Sequence, residues 1–143
     1  PLKHMLFHRR HLSPNMALHQ AGDLTSAEEV LLAEGLERFD TGKYGHAHES
    51  WEDLWNALKR RNAPLEEILL VQGLIQTAAL LLHYENRKER GVTNQWLKLE
   101  PKLAGWTVAW GLDIAAHCSV IQEFALDVGA WTKIPTLHQI PRA

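Results

Sequence analysis

The strongest constraint on this chain is a pair of short breaks, Asp40-Thr41-Gly42 and Asn62-Ala63-Pro64. They separate segments whose apolar residues recur at helical spacing. Before the first break, Leu32, Gly35, Leu36 and Phe39 share one face. Between the breaks, Tyr44, Ala47, Trp51, Leu54, Trp55 and Leu58 form a second stripe. After them, Leu70, Val71, Leu74, Ile75, Ala78, Leu81 and Leu82 cover so much of a helix that it must be touched from several sides. Connections this short make successive helices antiparallel neighbours. The expected fold is all-α, an antiparallel bundle of about four to five helices.

Local signals set the boundaries. Ser26-Ala27-Glu28-Glu29 reads as a capping box opening the first helix, and Gly42 suits a left-handed C-terminal cap. The second helix is expected from Lys43 to Arg61. Lys59, Arg60 and Arg61 would form a solvated end that complements the helix dipole. Pro64 suits the first turn of the third helix, with Glu66 and Glu67 beside it, and that helix runs on to Asn86. A charged turn, Arg87 to Gly91, leads to a fourth helix carrying Val92, Trp96, Leu97 and Leu99, which Pro101 kinks or ends. Trp106, Val108 and Trp110 alternate like a strand. A lone strand would have no pairing partner, so Lys102 to Gly111 is read as a helical turn and loop. Asp113 is the N-cap of a last helix with Ile114, Cys118, Ile121, Phe124, Ala125 and Val128 inside. The chain is thus one domain: an irregular arm over 1–24, the bundle over 25–131, and an extended tail over 132–143.

Totals narrow the function classes. A length of 143 residues suits one domain with a sizeable core, and the net charge of -2 disfavours a nucleic-acid binder. A single cysteine, Cys118, rules out an internal disulfide framework and is read as packing. The most apolar run, Ile68 to Leu82, is interrupted by Gln72, Gly73, Gln76 and Thr77, so no membrane span is read and a cytoplasmic location is expected. The arm carries His4, His8, His11 and His19 beside Lys3, Arg9 and Arg10. Histidines spread along a loop have no fixed ligand geometry, so it is read as a docked arm rather than a metal-binding tail.

The chemistry concentrates between the second and third helices. His48 and Glu52 lie one turn apart, as do Gln72 and Gln76. Counting outward from the tight turn places His48 level with Gln76 and Glu52 level with Gln72. His83 continues the glutamine stripe, Trp55 flanks it, and Glu49 points toward solvent. Two chemistries suit this seam. The preferred one is a satisfied polar network in which the glutamine amides bond His48 and Glu52. The other is a metal held by His48, Glu52 and His83 with Glu49 as general base, but a second histidine of the H-E-x-x-H pattern is replaced by Glu52.

The motifs Phe39-x-x-Gly42-x-Tyr44-x-x-Ala47-His48-Glu49-x-x-Glu52-x-x-Trp55 and Gln72-Gly73-Leu74-Ile75-Gln76-x-Ala78-Ala79, with His83, resemble the domain-of-unknown-function family 309. The resemblance covers Ser26 to Leu103, and Gly111-Leu112-Asp113 fits its C-terminal part. It implies a small cytosolic helical bundle and no established activity. The chain departs from the family pattern after Arg90, where Gly91-Val92 and Pro101 replace a Gly-Ala pair and a regular helix.

The preferred functional reading is a binding or interaction module whose polar site comprises His48, Glu49, Glu52, Trp55, Gln72, Gln76 and His83. Its partner would be a small ligand or a protein, and no cofactor is assigned. The alternative is a metal-assisted hydrolase built on His48, Glu49 and Glu52. A nucleic-acid accessory role through Arg9, Arg10 and Lys59 to Arg61 ranks third.

Overall fold

The computed structural model describes residues 18–143. Five α-helices are present among them: α1 Ser26–Asp40, α2 Tyr44–Arg60, α3 Leu65–Glu85, α4 Glu89–Leu103 and α5 Ile114–Leu126. Between α4 and α5 lie two short antiparallel strands, β1 Val108–Ala109 and β2 Leu112–Asp113. Helix α1 packs on α2, α2 on α3, and α3 on α4, while α5 closes the bundle against α3 and α4. The all-α bundle expected from the stripes is therefore the fold.

The tight turns share one device. At each of the first three helix ends the chain makes two reversed hydrogen bonds and enters the left-handed region once, which is the Schellman arrangement. After α1 the bonds are Lys43 N–H to Arg38 O at 2.7 Å and Gly42 N–H to Phe39 O at 3.0 Å. After α2 they are Ala63 N–H to Leu58 O and Asn62 N–H to Lys59 O, and after α3 Lys88 N–H to His83 O and Arg87 N–H to Tyr84 O. The left-handed positions are Gly42 (φ 79°), Asn62 (φ 53°) and Arg87 (φ 53°). Gly42 adopts this conformation without strain, whereas Arg87 carries a Cβ penalty.

Helix α3 is the hub. It is 21 residues long with a mean hydropathy of 1.6 over its most apolar window, so by length and composition alone it is sufficient to cross a membrane. In the bundle 56% of that window is buried. Gln72, Gly73, Gln76 and Thr77 interrupt the run without taking it below the length and hydropathy of a candidate span. Leu82, expected in the core, is exposed, while Thr77, Leu80 and Tyr84 are buried. Helix α1 meets α2 closely at Gly35, which faces the fully buried Trp51 ring. The indole N–H of Trp51 donates to the Leu32 carbonyl at 3.3 Å.

Several boundaries differ from the sequence reading. The capping box begins one residue earlier: Thr25 Oγ1 accepts from Glu28 N–H at 3.1 Å, and Glu28 Oε1 accepts from Thr25 N–H at 3.0 Å. Glu28 is buried because Arg61 reaches it with Nε at 2.8 Å and Nη2 at 3.1 Å. Arg61 is thus a structural partner and not merely part of a solvated helix end. Pro64 is the N-cap of α3 and not its first helical residue. Pro101 does not break α4; it sits exposed in the last turn, where only one backbone bond is lost. The segment 102–111 does contain a strand, because β2 supplies the partner. Trp110 (φ 49°) and Gly111 (φ 76°) make the two-residue turn, both left-handed as a type I′ hairpin requires.

The ends are more tightly docked than expected. Of the arm, His19 N–H donates to Gly105 O at 2.9 Å, Gly22 N–H donates to Glu67 Oε2 at 3.2 Å, and the Trp110 indole donates to Gly22 O at 2.9 Å. His4, His8 and His11, with Lys3, Arg9 and Arg10, lie outside the described residues. The C-terminal tail does not merely run over the surface. Pro135, His138 and Ile140 are buried, and Asp40 binds the Ile140 N–H at 2.9 Å and the Arg142 guanidinium at 3.0 Å. Asp113 N–H donates to Pro141 O and Ala143 N–H to Gly111 O, so the tail lies along the hairpin.

Candidate functional site

The i,i+4 spacing on α2 and α3 delivers its side chains to one place. A cavity of about 300 Å³ opens between α2, α3 and α4, lined by His48, Glu52, Trp55, Gln72, Ile75, Gln76, Ala79 and Gln95. Helix α2 contributes the charged edge and the indole. Helix α3 contributes two carboxamides above an apolar floor of Ile75 and Ala79, and α4 contributes one more carboxamide.

The hydrogen bonding differs from the satisfied network expected. His48 Nδ1 lies 3.3 Å from Glu52 Oε2, a pair about half exposed on both sides. The glutamines do not close onto them. Gln76 Oε1 accepts from the Lys102 ammonium at 2.9 Å, which turns its amide toward α4. Burial, reinforced by the charge of Lys98, holds the Lys102 ammonium below the usual lysine range. Gln95 Oε1 and the Trp55 indole N–H are buried with no hydrogen-bond partner among the described residues. On the outer face of Trp55 the Lys59 ammonium stands 3.5 Å from the ring centroid, which fixes the indole plane. The seam is therefore an open polar cavity, with hydrogen-bonding capacity left over, and not a closed network.

Of the residues singled out from sequence, His48, Glu52, Trp55, Gln72 and Gln76 meet at this cavity. Glu49 and His83 are not in its lining. Glu49 is exposed on α2. The His83 ring packs against Gly91, where an added Cβ would come within 2.6 Å of it. Both separations follow from helix geometry: Glu49 is a quarter-turn from the seam, and His83 lies near the end of α3, beside the turn into α4. Gln95 and Lys102 were missed. The signal for Gln95 was present, since it and Ala79 are equidistant in sequence from Arg87, the centre of the α3–α4 turn. Taking α4 as irregular hid it.

Chemically, the cavity offers carboxamide donors and acceptors, one carboxylate and one imidazole. No group of three or more His, Cys, Asp or Glu side chains among the described residues is arranged to hold a metal ion. The pair His48–Glu52 falls short of the three protein ligands typical of catalytic zinc.

No curated protein and no solved structure matches the chain. A family model does match, over residues 32–95, and that stretch contains every residue lining the cavity. The matching family is described as Domain of unknown function (DUF309), the one its helix motifs resemble, and the match takes in the parts of the helices that build the cavity.

Proposed function

We propose that the protein is a binding module for a small polar molecule, held in the cavity between α2, α3 and α4. The observation that carries the reading is the convergence of polar groups from three helices on one opening without mutual satisfaction. Buried polar groups are normally paired, and the exceptions call for a specific cause. Here Trp55 and Gln95, whose indole N–H and carbonyl have no partner among the described residues, both line a cavity at the small end of the ligand-pocket range, roughly 300–1,000 Å³. A ligand offering both donors and acceptors, with a small apolar part over Ile75 and Ala79, complements this lining. Glu52 and the Lys102 ammonium behind Gln76 are of opposite sign, which favours an uncharged or zwitterionic molecule over a simple ion.

The metal-assisted hydrolase reading has less support, because Glu49 and His83, its proposed base and third ligand, lie away from the cavity. A thermal-shift screen of small amides, polyols, nucleobases and amino acids tests the binding reading. A true ligand raises the melting temperature of the wild type and not of Gln72→Leu or Gln95→Leu. Equal shifts in wild type and both variants would place binding elsewhere and overturn it.

A further inference from the structure

His117 and His138 lie outside the stretch matched by the family model and away from the polar cavity. His117, on α5, is fully buried, and His138, in the tail, is 9% exposed. Their rings are nearly parallel with centroids 5.0 Å apart, and Phe39 presses edge-on against both. His117 Nδ1 lies 2.8 Å from His138 Nε2, and His117 Nε2 lies 3.0 Å from Thr77 Oγ1.

One contact assigns the protons in this chain. The Thr77 hydroxyl has a single hydrogen, and its shorter contact is the Leu74 carbonyl 2.7 Å away. With that hydrogen assigned to the shorter Leu74 contact, Thr77 Oγ1 accepts from His117, which places the His117 proton on Nε2. His117 Nδ1 is left as an acceptor and takes the N–H of His138 Nε2. The remaining nitrogen of His138, Nδ1, makes no hydrogen bond among the described residues.

The chain therefore has a defined capacity for acid. A proton on His138 Nδ1 leaves every bond intact. A second, on His117 Nδ1, would set two N–H donors against each other and place a cation in a fully buried position. His117 can take its proton only when His138 withdraws. His138 follows the short turn Pro135–Leu137, and the tail beyond it is held by the bridge to Leu112 and by Asp40, bonds that release must also break.

We propose that the His138–His117–Thr77 chain is a proton-operated latch on the C-terminal segment 132–143. In acid the segment leaves the bundle, both imidazoles become charged, and Phe39 and the wall formed by Val120 and Phe124 are uncovered. Among the described residues the charged groups near the pair are Asp40 from α1, Glu123 from α5, and Lys133 and Arg142 from the tail, while α3 presents the neutral Thr77. Burial lowers the affinity of His138 for a proton, against the opposing pull of Asp40 and Glu123. Burial, and then the neighbouring His138, lower that of His117 far more.

The sign follows from these directions. Both groups bind protons less well in the latched state than at the free value of 6.5, so latching is strongest above that pH and weakens as pH falls below it. His117 takes up its proton only on release and contributes a tenfold change per pH unit; His138, which can also charge while latched, adds to this only between 6.5 and its lowered latched value, so the dependence there exceeds tenfold and stays below 100-fold.

Nitrogen NMR of the full chain tests this between pH 7.5 and 4.5. The expected result at pH 7.5 is a neutral Nε2–H tautomer at His117, with the Ile140 and Ala143 amides protected from exchange. On acidification those amides lose protection together as His117 becomes charged, with a release constant that changes by more than tenfold per pH unit just below pH 6.5, while amides in the middle of α3 stay protected. His138→Gln keeps an N–H donor but cannot titrate, so its dependence should fall to about tenfold per pH unit. Three results would overturn the latch: tail amides protected until the whole bundle unfolds, His117 charging while the tail stays protected, or an unchanged slope in His138→Gln.

Discussion

Replacing Gly35 by Ala tests how closely α1 and α2 are fitted. An ideal Cβ at Gly35 would lie 2.1 Å from Trp51 Nε1 and 2.3 Å from its Cδ1. Ordinary contact is about 3.5–4.0 Å, so more than an ångström must be found. Trp51 is fully buried and its ring sits beside Phe39, with centroids 5.7 Å apart, so it has nowhere to withdraw. Overpacking of this kind costs about 1–3 kcal/mol. Loss of the Trp51 to Leu32 hydrogen bond adds roughly 1 kcal/mol. The better helix propensity of Ala returns about 1 kcal/mol, leaving a net loss of around 1–3 kcal/mol. Gly45 is the control. It lies in the first turn of α2 and a Cβ there meets nothing within 4 Å, so Gly45→Ala should stabilise by about 0.5–1 kcal/mol. Urea unfolding of both variants, followed by tryptophan fluorescence, separates the two effects. If Gly35→Ala is as stabilising as Gly45→Ala, the close approach of α1 and α2 described here is wrong.

Other perturbations address the caps and the cavity. Asp113→Ala removes the acceptor of the Ala116 N–H, 2.9 Å away, and should cost about 1 kcal/mol in urea melts; no loss would mean that α5 is capped by something else. Arg87→Gly relieves a left-handed residue on an exposed turn and should gain about 0.5–1 kcal/mol, whereas a loss would show that the Arg side chain has an overlooked role. His48→Ala removes only a half-exposed contact with Glu52, since Gln76 is held by Lys102, so melts should shift by less than about 1 kcal/mol. A larger cost, of about 1–3 kcal/mol, would restore the closed-network reading.

What was legible in the sequence was periodic. The stripes of α1 to α3 and the short turns between them determine which helices touch, and i,i+4 pairs then bring His48, Glu52, Gln72 and Gln76 to one opening. What was not legible depends on partners distant in the chain. Whether Gln76 bonds His48 or Lys102 is decided by α4, whose course Pro101 and Gly91 obscured. The hairpin was dismissed because the partner of Val108 lies across a turn whose first residue, Trp110, is an improbable left-handed residue. His117 was invisible for a different reason. A histidine among Ile114, Cys118 and Ile121 looks like an interruption of the apolar face, and only His138, on a tail without periodicity, reveals its role. The tail was read as surface because two prolines exclude regular structure, yet Ile140 and His138 needed only an extended backbone to reach the core.

The central claim is that the cavity between α2, α3 and α4 is an open binding site. The most direct measurement is a proton–nitrogen NMR titration of the wild type with the best small polar molecule from the thermal-shift screen. The Trp55 indole and the Gln72 and Gln95 side-chain amides serve as reporters, since none of these groups is hydrogen-bonded among the described residues. The account predicts saturable shifts at these three reporters and along the facing residues of α2, α3 and α4, with the Trp51 indole unmoved because it is tied to Leu32. Saturable shifts that avoid all three reporters, or that appear only at the surface of α1 or the tail, would contradict it.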